Sequence, residues 1–233
     1  GFDKFNSKNL SNYFSGIVAF ENNDNIKALN FYNSSKILIN QHEPYLEKLV
    51  RTLVLEDRVT QAINIIKINK KKKNSDFFEA YILLALDNLK KNNIDEALET
   101  LINVPEHLLR DRFKYIILSS LKQYAYVFKD KKLKNNNENF ENLSLITETF
   151  QRCYLGDKNT GSYFSKLINS KEGDYSRYIF FNLAYLIENN QIDEAKIITK
   201  DLEYINTTLL LSQGKSWIDN NEINKFSKFF SCK

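Results

Sequence analysis

Asn92-Asn93-Ile94-Asp95-Glu96-Ala97-Leu98 decides how this chain is read. The phrase returns almost letter for letter as Asn189-Asn190-Gln191-Ile192-Asp193-Glu194-Ala195. A looser copy comes earlier, Glu21-Asn22-Asn23-Asp24-Asn25-Ile26-Lys27-Ala28-Leu29. Each copy follows one apolar-periodic segment and opens another. The Asn/Asp cluster reads as a helix stop followed by an N-cap, and Asp-Glu in a first turn suits the positive end of a helix dipole. The small Ala marks where the second helix comes close to the first. The phrase is thus the bend of a helical hairpin, and its paired acids are helix-terminal residues rather than a general acid and base.

Composition agrees with helices. The 233 residues are 42% hydrophobic, with only 6 Gly and 2 Pro, too few for a turn-rich β-sandwich or a glycine-dependent nucleotide fold. Thirty-three basic against 29 acidic residues leave +4, no broad field demanding nucleic acid or a membrane surface. No apolar run reaches the length of a membrane span. Cys153 and Cys232 have no Cys-x-x-Cys spacing and are expected as free thiols, which leaves the compartment open.

The first helix carries Leu10, Tyr13, Phe14, Ile17, Val18 and Phe20, and its partner runs through Ile26, Leu29 and Tyr32 towards Ile37. Pro44 opens a helix with Leu46, Leu49, Val50, Leu53 and Val54, paired across Glu56-Asp57-Arg58 with Ala62, Ile63, Ile65 and Ile66. Ser75 or Asp76 is the expected N-cap of a third pair, 77–89 and 94–104. A long helix is expected over 108–128, then a solvated Lys/Asn-rich insert at about 129–139. Helical pattern resumes at 140–155, bends at Gly156-Asp157, continues over 163–168, and returns as hairpins at 174–188 with 192–204 and at 209–218 with 223–230.

Spacing supplies a family. Ala28 to Ala62 is 34 residues, Ala62 to Ala97 is 35, and Ala97 to Ala195 is 98, close to three periods of roughly 33. A 34-residue, two-helix unit resembles the tetratricopeptide repeat, W-x2-L-G-x2-Y…A-x3-F…P. Gly16, Ala28 and Tyr32 stand at its Gly, Ala and Phe places in the first unit, Leu46, Leu49, Leu53, Ala62 and Ile66 fit the second, and Tyr81, Leu84, Ala85, Ala97 and Leu101 the third. Ala195 marks a later copy, while Gly214 and Trp217 receive no register. The resemblance implies an all-α, right-handed α-solenoid of about six TPR-like hairpins forming one superhelical domain over 1–233. Three clear repeats span 9–105, irregular ones span 106–172, and further repeats at 173–233 look truncated at the C-terminus.

In such a family the first helices line a concave surface that holds a peptide or partner helix. The matching positions here are Tyr13, Glu47 and Ile82, with Ile17, Arg51 and Leu86 one turn on. The resemblance therefore implies a non-enzymatic protein-binding scaffold of bacterial type with no cofactor. Degenerate units and a first residue other than Met also look like envelope-associated repeat proteins, which favours the periplasm or envelope after signal removal over the cytoplasm.

Catalytic and metal chemistry lack a constellation. His42 and His107 are far apart and have no partner Cys or His. Gly156 and Gly161 are not followed by Lys-[Ser/Thr], so no phosphate loop forms. The lysines at 70–73 and 129–134 raise an RNA-binding helical repeat as the alternative, although Tyr13, Glu47 and Ile82 form no base-reading code. A docking domain of a larger enzyme is the other alternative.

Overall fold

The computed structural model describes residues 7–70, 75–134, 142–170, 176–200, 202 and 209–233. Among these it is all-α, with no strand. The chain divides into two compact units, 1–125 and 126–233.

Unit 1 contains α1 (Ser7–Glu21), α2 (Asn25–Ser34), α3 (Pro44–Leu55), α4 (Val59–Asn69), α5 (Phe78–Lys90) and α6 (Ile94–Ile102), and the first part of α7 (Arg112–Asp130). The helices pair as hairpins α1/α2, α3/α4 and α5/α6. Each hairpin packs on the next through α2 on α3 and α4 on α5, while α3 also touches both α1 and α5. Unit 2 contains α8 (Asn142–Leu155), α9 (Thr160–Ile168), α10 (Ile179–Glu188), α11 (Ile192–Lys200), α12 (Leu209–Asp219) and α13 (Ile223–Phe226), each packed on its neighbour in chain order.

The bends share one backbone device. Asn23, Asp57, Asn92, Asn190 and Asn221 all have φ between 57° and 61°, the left-handed conformation that stops a helix. At Asn92 the amide bonds to Leu89 O at 3.0 Å and the Asn93 amide to Asn88 O at 2.9 Å, closing the Schellman pair. The same two bonds recur at 23/24, 57/58, 190/191 and 221/222. Gly156, at φ 66°, does this for the α8/α9 bend. The cluster's first task is therefore the left-handed stop, for which Asn is the best non-glycine residue. Side-chain N-capping is confined to particular bends: Asp24 accepts from the Lys27 amide at 3.1 Å, whereas Asn93 makes no such bond. Asp95, Glu96, Asp193 and Glu194 do lie in first turns.

Five residues after each left-handed stop comes a completely buried position: Ala28, Ala62, Ala97, Ala195 and Phe226. Ala85 is completely buried as well. Gly16 is buried because the Tyr32 ring lies on it; a Cβ there would stand 2.6 Å from Tyr32 Cε1. Gly214 repeats the relation, its would-be Cβ 2.9 Å from the Phe230 ring. Both Gly-to-ring steps are sixteen residues. Packing thus supplies the register that the sequence pattern leaves unassigned after residue 205.

Some details differ from expectation. The α2 helix ends at Ser34, and Lys36–Asn40 forms a 3-10 turn carrying Ile37 out to solvent. Phe77, not Ser75 or Asp76, precedes α5, because Asp76 instead accepts from the Tyr81 hydroxyl at 2.8 Å. The cysteines are not free: Cys153 in α8 and Cys232 are joined in a disulfide with their Cα atoms 5.0 Å apart. They meet because Phe230 seats the C-terminal segment against Phe180, Phe181 and Phe226, two residues before Cys232.

Candidate functional site: an apolar groove in unit 1

Amphipathic helices bury one stripe, and what lies off that stripe shows where a surface has another use. In α3 the buried stripe is Tyr45, Leu46, Leu49, Val50, Thr52 and Leu53. Val54 and Leu55 fall beside it, and Leu55 is 61% exposed. In α7 Phe113 is 68% exposed. These residues border a groove of about 500 Å³ formed by α1, α3, α5 and the start of α7. Its apolar wall includes Phe20, Val50, Phe78, Ile82, Leu83 and Ile117.

The groove has one polar centre. Arg51 Nη2 donates to Glu79 Oε1 at 2.5 Å and pairs with Glu47 Oε1 at 2.9 Å. All three side chains are about one-third exposed, so solvent screening leaves these pairs little net stabilising effect; their effect is to hold the guanidinium in place. Arg51 Nε and Nη1 make no hydrogen bond among the described residues. Glu79 Oε2 is shut off from solvent and has no partner there either. At the α7 end, Asp111 Oδ1 accepts from the Phe113 amide at 2.8 Å, and Lys114 Nζ lies 5.4 Å from the centre of the Phe78 ring.

The residues singled out by the family resemblance separate here. Arg51 and Ile82 share the groove, and Glu47 joins through its ion pair with Arg51. Leu86 is exposed one turn beyond Ile82 and is not part of the lining. Ile17 is half-buried against the core. Tyr13 is a core residue, 2% exposed and packed against Tyr32, Tyr45 and the His42 ring. Burial, and secondarily the Glu47 carboxylate, push its hydroxyl pKa up. Glu79, Leu55, Phe113 and Lys114 were not anticipated. Leu55 carried a usable signal, being apolar yet beside the stripe that α3 buries, whereas Phe113 follows the apolar period of its helix and only the structure shows it exposed.

Family models, curated proteins and solved structures yield no match to this chain.

Other chemistry-bearing groups have local structural partners. His107 Nε2 is 3.5 Å from Asp76 Oδ2. Among the described residues no group of three or more His, Cys, Asp or Glu is placed to hold a metal ion, and no helix is long and apolar enough to cross a membrane. Of the lysine stretches, 71–73 and the insert's 135–139 lie outside the described residues. Lys131 donates to the Tyr154 hydroxyl and lies over that ring, and Lys134 stands 4.4 Å from the Tyr126 ring centre while pairing with Asp130. Those two ammonium groups are engaged by the chain itself, which gives the RNA alternative no support.

Proposed function

We propose that the chain is a non-enzymatic binding scaffold whose unit 1 groove receives an apolar segment of a partner protein. The observation that carries this reading is the groove itself, with Leu55 and Phe113 exposed at its edge beside a fixed guanidinium. Leaving two large apolar side chains in water has a cost that burial under a partner removes, about 1.5–3 kcal/mol for a fully buried side chain. The first-helix placement of the groove and the 34-residue step support a TPR-like superhelix, right-handed as in that family, as the frame.

Polar chemistry at the centre supports an extended occupant over a helical one. Arg51 Nε and Nη1 offer donors, and Glu79 Oε1, which accepts from Arg51 Nη2, keeps a second lone pair. Side by side they complement one residue of an extended segment, whose carbonyl and N–H point to the same side, the carbonyl accepting and the N–H donating. A helix has already used those backbone groups internally, whereas an extended segment presents them.

Selection of random twelve-residue peptides displayed against the full chain tests this. Apolar peptides are expected, with affinity falling roughly tenfold or more in Leu55→Asp and in Phe113→Asp, a tenfold change being about 1.4 kcal/mol. Both positions are exposed, so the fold survives the changes. Peptides indifferent to both substitutions, or no enrichment at all, would sink the reading.

A further inference from the structure

The chain has two cysteines in 233 residues, 79 positions apart, and the fold brings them together. Cys153 is 1% exposed and Cys232 9%, and they sit against Phe164 with Phe150, Tyr178 and Phe181 around them. The C-terminal segment that carries Cys232 has no helix of its own after α13. It is positioned by non-covalent contacts nonetheless. Glu188 Oε1, at the end of α10, accepts from the Ser231 hydroxyl at 2.8 Å and from the Cys232 amide at 3.0 Å. Phe230 packs on Gly214 and Phe180. These contacts do not involve sulfur, so they bring the two cysteines together as the segment docks, and exchange with an oxidase takes place before docking encloses them.

We infer that Cys153 and Cys232 are the target of thiol-oxidising machinery, so that the chain matures in a compartment that makes disulfides, where the bond latches the C-terminal segment onto α8. The chemistry is thiol–disulfide exchange. One cysteine thiolate attacks the disulfide of an oxidase of the Cys-x-x-Cys type, giving a mixed disulfide. The second thiolate displaces the oxidase sulfur. Two electrons and two protons leave the chain, the oxidase departs as a dithiol, and the Cys153–Cys232 bond remains. In the cytosol of mesophilic cells glutathione and thioredoxin keep such thiols reduced, whereas exported proteins retain the bond. Once formed here it is enclosed by aromatic rings, out of reach of exchange with soluble thiols, which suits a permanent latch and not a cycling redox centre. This inference rests on unit 2 alone and stands or falls independently of the groove.

The test is acid quenching of source cells followed by alkylation of thiols in the full chain, read by mass. Zero alkylated cysteines before reduction and two after it are the expected result. Two alkylated cysteines in the unreduced, freshly quenched sample would overturn the compartment inference. In parallel, the chain refolded in a glutathione redox buffer is melted with and without reduction. The oxidised form should melt about 5–15 °C higher in the unit 2 transition. Cys153→Ser and Cys232→Ser should each match the Cys153→Ser/Cys232→Ser double variant, because either alone already removes the latch. Singles that melt like the oxidised parent would overturn the latch.

Discussion

At the start of unit 1 the bend at Asn23 is followed by Tyr32 lying on Gly16; at the end of unit 2 the bend at Asn221 is followed by Phe230 lying on Gly214. The same sixteen-residue relation is held in two ways. Tyr32 belongs to an unbroken apolar cluster with Tyr13, Tyr45 and Leu49, continuing to Ile66 and Leu84. Phe230 belongs to a second cluster built on α10, α12 and α13, whose following residues are fixed by a disulfide and by Glu188. Within unit 2 the α8/α9 bend adds an ionic brace: Arg152 bonds to Glu148 at 2.6 Å and to Asp157 at 2.8 Å, with its guanidinium over the Tyr163 ring. Burial works against that guanidinium's charge, and the two carboxylates more than offset it, so its pKa is raised. Regular repeats hold one another by stacking; where the repeat is irregular, covalent and charged ties do part of that holding.

Removing each ring separates the two units by the largest effect. Tyr32→Ala and Phe230→Ala each delete a buried aromatic side chain, a loss of about 3–5 kcal/mol. Tyr32→Ala should lower the melting of unit 1 and leave amide-exchange protection in α10 and α12 intact, and Phe230→Ala should do the reverse. If either substitution lowers protection in both units equally, the two do not respond as separate cores. Next in size are the glycines. A methyl group at Gly16 or Gly214 meets ring carbons at 2.6–2.9 Å, and a ring in a packed core cannot step aside freely. Gly16→Ala and Gly214→Ala should each cost about 1–3 kcal/mol by denaturant titration. Alanine's better helix propensity works the other way by about 1 kcal/mol at most, so a stabilised variant would show that the ring does move.

Much of this was legible in the sequence, for identifiable reasons. Helix pairs and their 34- and 35-residue steps appear because apolar periodicity and the bend are local signals. The bend reads as a helix stop followed by an N-cap, and the stop is what Asn23, Asn92 and Asn190 provide through a positive φ; the side-chain cap is present at Asp24 and missing at Asn93, which composition alone does not distinguish. The register of the last hairpin was hidden because Phe226 fills the place where earlier units have Ala, and Trp217 draws attention away from Gly214. The disulfide was invisible because nothing local links residues 79 apart. The groove was half legible. Arg51 and Ile82 follow from repeat positions, whereas Tyr13 turned inward because His42 and Tyr45, contributed by the next segment, close over it.

A smaller and opposite effect should come from one oxygen. The Tyr32 hydroxyl is buried and has no hydrogen-bond partner among the described residues, and burial, with Tyr13 and Glu21 adding to it, pushes its pKa up to about 12. Tyr45, by contrast, donates its hydroxyl to the Tyr32 carbonyl at 2.5 Å. Tyr32→Phe removes an unsatisfied group and should be neutral or stabilising by up to about 1 kcal/mol, while Tyr45→Phe takes one donor from a carbonyl that keeps the Ser35 amide and hydroxyl and should cost about 0.5–1.5 kcal/mol. Equal losses in a urea titration would mean that the Tyr32 hydroxyl is hydrogen-bonded after all.

The smallest effect is acid sensitivity, and it separates the units by different carboxylates. In unit 1 Asp87 is held below the ordinary carboxylate range by hydrogen bonds from Lys67 and Lys91. In unit 2 burial would raise Asp157, but the Asn159 amide and Arg152 outweigh it and the net shift is downward. A carboxylate whose folded pKa is depressed takes up its proton more readily in the unfolded chain. Its contribution is therefore complete above the unfolded value near pH 4 and is lost as pH falls through the lower folded value. Melting of each unit should thus be flat from pH 7 to about 5 in this respect and fall below about 4. Asp87→Asn should flatten the acid limb of unit 1 alone, and Asp157→Asn that of unit 2 alone, each by roughly 1–3 °C. Salt should reduce the Asp87 effect more, since Lys67 and Lys91 are about half exposed while Arg152 is 14% exposed and shielded by the Tyr163 ring. An acid limb in unit 2 that vanishes in salt as readily as that of unit 1 would mean that the Arg152 brace is solvated, leaving the disulfide, the Glu188 hydrogen bonds and the apolar cluster to hold that unit.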